Sequence, residues 1–87
     1  MIIWSDDKNL KLQNERKISF DEIAEIILRK EYLDIIENPL RPSQQLFVIE
    51  LNGYIYSVPF IIDSEANIVL KTAFPSRKLN KKYKEIR

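Results

Sequence analysis

The run Gln45-Leu46-Phe47-Val48-Ile49-Glu50-Leu51-Asn52-Gly53-Tyr54-Ile55-Tyr56-Ser57-Val58-Pro59-Phe60-Ile61-Ile62 governs the architecture of this chain. Two β-prone segments, 45–51 and 54–62, flank Asn52-Gly53, and both turn residues tolerate the positive φ that a two-residue hairpin requires. Such a turn sets the register: Leu51 opposes Tyr54, Ile49 opposes Tyr56, and Phe47 opposes Val58. Pro59 cannot donate to a ladder, so a bulge or a locally unpaired edge is expected at that point of the second strand.

Moving toward the C-terminus, the polar turn 63–67 leads to a third strand over 68–74. A symmetric turn places Ile62 opposite Ile68 and Phe60 opposite Leu70. One face then carries Phe47, Ile49, Leu51, Tyr56, Val58, Phe60, Leu70 and Phe74, a core face. Burying side chains of this size is worth roughly 1.5–3 kcal/mol each, enough to fix which face turns inward. The other face carries Val48, Glu50, Ser57, Pro59, Lys71 and Ala73, with Lys71 near its middle. Pro75-Ser76 stops the sheet, and 77–86 reads as a basic final helix that Ser76 caps.

Moving toward the N-terminus, a loop with Pro39 and Pro42 separates the hairpin from a short strand over 32–37. Ser19-Phe20-Asp21-Glu22 is a capping box, with Ile18 placed to staple onto Ile23. The helix it opens, 20–30, puts Phe20, Ile23, Ala24, Ile27 and Leu28 on one side. Ser5 caps an earlier helix over 6–16, with Asp6 and Asp7 in its first turn and Arg16 and Lys17 at its end. Trp4, Leu12 and the stem of Lys8 are expected on its buried side, and 1–4 reads as a first strand. The order is α+β: two helices, an antiparallel sheet and a closing basic helix.

At 87 residues the chain is a single domain, 1–87. It has no Cys and no His, which excludes disulfides, thiolate nucleophiles, Ser-His triads and His- or Cys-ligated metals. Its one glycine belongs to the hairpin, so no glycine-rich phosphate loop exists. Glu22 and Glu25, three apart on a helix, are better explained as a cap and a solvated neighbour than as metal ligands. Asp34 and Glu37 read as a solvated pair. The expectation is no metal and no cofactor. No apolar run reaches the ~20 residues that span a bilayer, and no signal-peptide pattern opens the chain, so a cytoplasmic protein without a membrane partner is expected.

The net charge of +1 hides an asymmetry. Residues 1–70 carry seven Lys/Arg against twelve Asp/Glu, whereas 71–87 carry seven against one. That basic end points to a polyanion or an acidic partner. Lys71, Arg77 and Lys78 on one surface would bind phosphate, since Arg offers a planar fork and Lys a point charge. Glu50, Tyr54 and Tyr83 lie within expected reach, and Lys81, Lys82 and Lys84 extend the basic surface. The plainer alternative for Lys71 is a solvated side chain on the open side of a half-buried sheet.

Three blocks carry a family resemblance. Trp4-Ser5-Asp6-Asp7-Lys8-Asn9, Ile18-Ser19-Phe20-Asp21-Glu22, and Pro75-Ser76-Arg77-Lys78 followed by Tyr83 occur in one order across nearly the whole chain. They resemble the W-D-x-x-K-N, I-S-F-E-E and S/A-R-K…Y segments of BrnT-type toxins of bacterial toxin–antitoxin systems. Where many members have His-Gly, this chain has Arg16-Lys17, which leaves Lys17 to make the turn between helices. The resemblance implies a RelE-like fold and a metal-independent endoribonuclease that arrests translation. It also implies a ribbon-helix-helix or similar DNA-binding antitoxin as partner.

RNA cleavage through its own 2′-hydroxyl needs a base, charge stabilisation at the phosphate and a proton for the leaving oxygen. Lys71 and Arg77 are the expected cation clamp. Lys78 or Tyr83 would supply a proton, and Glu50 or a lysine lowered from its usual ~10.4 would take one. The alternative function is a non-catalytic module that binds nucleic acid or a partner, including an attenuated toxin held in a repressor complex.

Overall fold

The computed structural model describes residues 1–85. Among these residues, three helices and six strands form one α+β unit. The strands are β1 (Ile2–Ile3), β2 (Asp34–Glu37), β3 (Gln45–Leu51), β4 (Tyr54–Ile62), β5 (Ile68–Leu70) and β6 (Phe74–Pro75). The helices are α1 (Asp6–Arg16), α2 (Phe20–Leu28) and α3 (Arg77–Glu85). The sheet runs β1-β5-β4-β3-β2, with β6 on the same edge of β4 as β5. It is mixed rather than antiparallel, because β1 returns parallel to β5.

The hairpin register is the expected one: Leu51 opposes Tyr54, Ile49 opposes Tyr56 and Phe47 opposes Val58. Asn52 and Gly53 both have positive φ, 53° and 78°, which is what a two-residue hairpin turn demands. Ile62 and Phe60 likewise meet Ile68 and Leu70. The ladder between β3 and β4 passes Leu46–Pro59 without a slip.

The irregularity lies on the other side of Pro59. The Pro59 carbonyl accepts from the Lys71 amide at 2.9 Å, in step with β5. One turn of the ladder later, Ser57 opposes Phe74, so the register has moved by one residue. Thr72 is the extra residue, a bulge in the strand facing Pro59. Within an antiparallel strand a residue's N and C=O point to the same neighbour, so the missing N–H of Pro59 faces this bulge. The ladder is thus interrupted on the side where Pro59 has no hydrogen to donate.

Two expectations fail for this reason. Ala73 belongs to the core and is 1% exposed, not on the open face beside Lys71. Phe74 leaves the core face and is 37% exposed. The expected single strand over 68–74 is thus two short strands with opposite alternation.

α2 buries Phe20, Ile23, Ala24 and Ile27 against the sheet. It ends at Leu28 because Lys30 adopts φ 56°, in the left-handed region, and Leu28 is left 69% exposed rather than buried. Ser19 accepts from the Glu22 amide at 3.2 Å, the N-cap half of the capping box. α1 is polar nearly all round and buries Leu12 alone, while the Lys8 side chain is exposed rather than packed. Its ends hold it in place. Ser5 caps the start, Lys17 closes the end at φ 58°, and Asn9 Oδ1 accepts from the Phe20 amide at 2.8 Å. Trp4 lies beyond the first strand and packs its ring against Phe20 at 5.9 Å.

α3 covers the opposite face of the sheet. Its first turn completes the free edge of β4: the Ile55 carbonyl accepts from the Ser76 amide and the Ile55 amide donates to Asn80 Oδ1, at 3.0 and 3.1 Å. Ser76 caps the helix by accepting from the Leu79 amide. Val48, Ile55 and Ser57 are buried on this side. Ile86, expected in this helix, lies outside the described residues.

Candidate nucleic-acid interface

Lys71 is held where β5 ends, its amide on Pro59 and its side chain at the bulge. It lines a cleft of about 480 Å³ together with Lys8 and Lys11 of α1, Arg16 at the end of α1, and Arg41 from the 38–44 loop. Glu15 is the single carboxylate in that lining, and Pro59, Thr72 and Phe74 form part of its wall. No ion pair engages these five cations among the described residues. Like charges gathered around one opening repel, and an anion entering it relieves that repulsion.

The loop that carries Arg41 is fixed by its own hydrogen bonds. Asn38 is buried, donates through Nδ2 to Gln44 Oε1 at 3.3 Å and accepts from the Leu40 amide at 3.0 Å. The Arg41 amide donates to the Asn38 carbonyl, and the Gln44 amide to the Arg41 carbonyl. The backbone beneath the Arg41 guanidinium is therefore set before any ligand arrives.

Arg77 and Lys78 occupy the exposed start of α3 and do not line this cleft. Lys71 meets β4 at Pro59, whereas Ser76 meets it at Ile55, four residues away. At about 3.3 Å per residue that is roughly 13 Å of strand. The three cations expected on one phosphate are thus spread along the β4 edge. Lys81 and Lys82 face solvent on α3, and Lys82 Nζ sits 5.6 Å from the Tyr83 ring centre.

Glu50, Lys84 and Tyr83 are occupied in docking α3. Lys84 Nζ lies 2.6 Å from Glu50 Oε2 with both side chains about one-third exposed. Tyr83 donates its hydroxyl to Asp34 Oδ2 at 2.8 Å. Burial first, and then the Asp34 carboxylate as acceptor and neighbouring negative charge, raises the Tyr83 pKa above its usual 10.0. Tyr54 stacks edge-on against Tyr56, 6.5 Å between centres. Asp34 thus has a specific partner, rather than being a merely solvated acid.

The cleft cations of α1 and Arg41 are absent from the sequence-based site. Lys8, Lys11 and Glu15 follow helical spacing on a helix with one buried residue, and that excess of exposed polar face was the available signal. Nothing in the local sequence ties Arg41 to them. A second hollow of about 560 Å³ is mostly apolar, with Ile2, Ile35, Ile62 and Ile68 in its lining and Lys30 as its one charged side chain.

Among the described residues, no group of three or more His, Cys, Asp or Glu is placed to hold a metal, and no helix is long and apolar enough to cross a membrane. No family model, curated protein or solved structure matches this chain.

Proposed function

We propose that this protein is a metal-independent endoribonuclease of the BrnT-type toxin kind, with a RelE-like fold, acting in the cytoplasm and neutralised by a DNA-binding antitoxin. The observation that carries the reading is the cleft around Lys71, whose five cations have no ion-pair partner among the described residues. The resemblance of the three sequence blocks supplies the family.

The chemistry follows from the lining. The RNA 2′-oxygen attacks the adjacent phosphorus, the bond from phosphorus to the 5′-oxygen breaks, and a 2′,3′-cyclic phosphate and a 5′-hydroxyl result. Lys71 stabilises the charge that develops on the phosphate oxygens. Glu15, the carboxylate of the cleft, takes the 2′-hydroxyl proton, and a lysine ammonium of the cleft on the far side of the phosphorus gives a proton to the leaving oxygen. Arg77 and Lys78 hold the strand where it leaves the cleft along the β4 edge.

The test is induction in bacteria with mapping of new RNA 5′ ends, beside Glu15→Gln and Lys71→Ala/Arg77→Ala. New 5′-hydroxyl ends from the wild type alone are the expected result. Ends that persist in both variants would sink the assignment of these residues, and no ends from folded wild-type protein would sink the nuclease reading.

A binding module without cleavage is the second reading. Its support is specific: Glu50 and Tyr83, two of the proton-transfer groups expected from sequence, are engaged in holding α3 on the sheet.

A further inference from the structure

We infer that the cleft between α1, the 38–44 loop and the Thr72 bulge is the track of a single RNA strand, with Phe74 as a stacking platform for one base. The inference rests on the proposed reading only in taking RNA as the ligand; it assigns the binding residues Lys8, Lys11, Arg41 and Phe74 whether or not the strand is cut.

Four observations meet here. The cations come from three separately fixed elements, so their spacing is preset rather than gathered by the ligand. α1 has a single buried side chain, and its Lys8 and Lys11 line the cleft without an ion-pair partner among the described residues. Phe74, expelled from the core by the register step, stands partly exposed in the same wall. Leu40, 87% exposed, adds an apolar surface at the loop. Cations that follow a backbone, interleaved with an exposed aromatic ring, are the parts from which single-strand grooves are built. An acidic peptide would use the cations but has no flat base to place on Phe74.

A base-paired helix is disfavoured as occupant for the same reason. A duplex keeps its bases stacked on each other and presents phosphates, 2′-hydroxyls and base edges rather than a base face, so Phe74 would gain nothing from it.

The experiment measures binding of the full chain to a fluorescent 2′-O-methyl oligouridylate, which cannot be cleaved because its 2′-oxygen is blocked. Affinity is followed against salt concentration for the wild type, Lys8→Gln/Lys11→Gln, Arg41→Gln, Phe74→Leu and the α3 variant Lys81→Gln/Lys82→Gln. On a single strand, removing one phosphate-binding cation flattens the logarithmic salt dependence by about 0.7, so the α1 variant should lose roughly 1.4 and Arg41→Gln about 0.7. Phe74→Leu should weaken binding about tenfold at every salt concentration with an unchanged slope. Thermal melts of each variant confirm folding, and the α1 and Arg41 variants, being surface changes, carry the test if Phe74→Leu is destabilised.

Unchanged slopes in both cation variants, with the loss appearing only in the α3 variant, would overturn the inference. So would an oligoglutamate of equal charge that binds as tightly as the RNA. Absence of new RNA ends in the induction assay, with oligonucleotide binding that follows the cleft residues, removes the nuclease reading and supports the cleft. New ends produced on induction by the Lys8→Gln/Lys11→Gln and Arg41→Gln variants, with their oligonucleotide binding also unchanged, remove the cleft and leave the nuclease.

Discussion

Under α2 the sheet is covered by interlocking apolar side chains, whereas on the other face α3 adds directional polar ties to the few apolar residues, Val48 and Ile55, that it buries. Phe20, Ile23, Ile49, Val58 and Leu70 close the first side almost without exposure. Phe47 and Phe60 stack within it at 4.2 Å. On the second side Asn80, Tyr83 and Lys84 each reach one partner on the sheet. Apolar burial is non-directional and indifferent to pH, while hydrogen bonds and ion pairs are directional and titrate. The first side should therefore set global stability, and the second the position of one helix.

The largest effect expected is on the apolar side. Ile49→Ala should cost about 2–5 kcal/mol, read from the denaturant midpoint, because it opens a cavity between sheet and helices. A loss under about 1 kcal/mol, well short of what a core cavity costs, would break the contrast. Asn80→Ala comes next, at about 1–3 kcal/mol, since it strips the Ile55 amide of its acceptor at a buried position. Hydrogen exchange at Ile55 should quicken more than exchange at Phe47.

Tyr83→Phe should cost about 1 kcal/mol at neutral pH. Its pH dependence sharpens the comparison. The Tyr83 pKa is raised in the folded state by burial and by Asp34, so its contribution is complete below about pH 10 and is lost as pH rises through the raised value. The wild type should lose stability in that alkaline window, and Tyr83→Phe should lose less there. The smallest effect is a gain on the helical side. Lys17→Gly should add about 0.5 kcal/mol, because Lys17 closes α1 at φ 58°, where a side chain is strained. Calorimetry of the two proteins checks it.

The hairpin register was legible because Asn52-Gly53 admits few other turns and the alternation on both sides agrees with it. The capping box at Ser19 was legible because its signal is local. The Thr72 bulge was not, since Lys71-Thr72-Ala73-Phe74 reads as a strand in either register; Pro59 marked the trouble but not which strand would yield. The same distinction applies to the cleft. Lys71 could be singled out from its place in the strand, whereas Lys8, Lys11 and Arg41 join it only through tertiary approach of distant segments. Several residues that carry the family resemblance also have plain structural employment. Trp4 packs on Phe20, Asn9 caps α2, Ser76 caps α3 and Tyr83 ties it down.

The acidic turn before β5 is a further place where pH acts. Asp63 accepts from the amides of Asn67 and Glu65 and from the Asn67 side chain, and these bonds, the Asn67 amide first, lower its pKa from 3.8. Its support is present above about pH 4 and fades as pH falls through the lowered value. Asp63→Asn should flatten the acid limb of a stability profile, which a urea series below about pH 4 would read.

Thr72 and Pro59 constrain one another across the ladder. Deleting Thr72 would fuse β5 to β6, leave Ala73 opposite Val58 and Phe74 opposite Ser57, and set a regular strand against a residue with no amide hydrogen to share. Replacing Pro59 alone would supply a donor at the point where the bulge interrupts the ladder. A change at either position alone therefore mismatches this edge of the ladder, whereas replacing Pro59 and removing Thr72 together would set a donor against a regular strand.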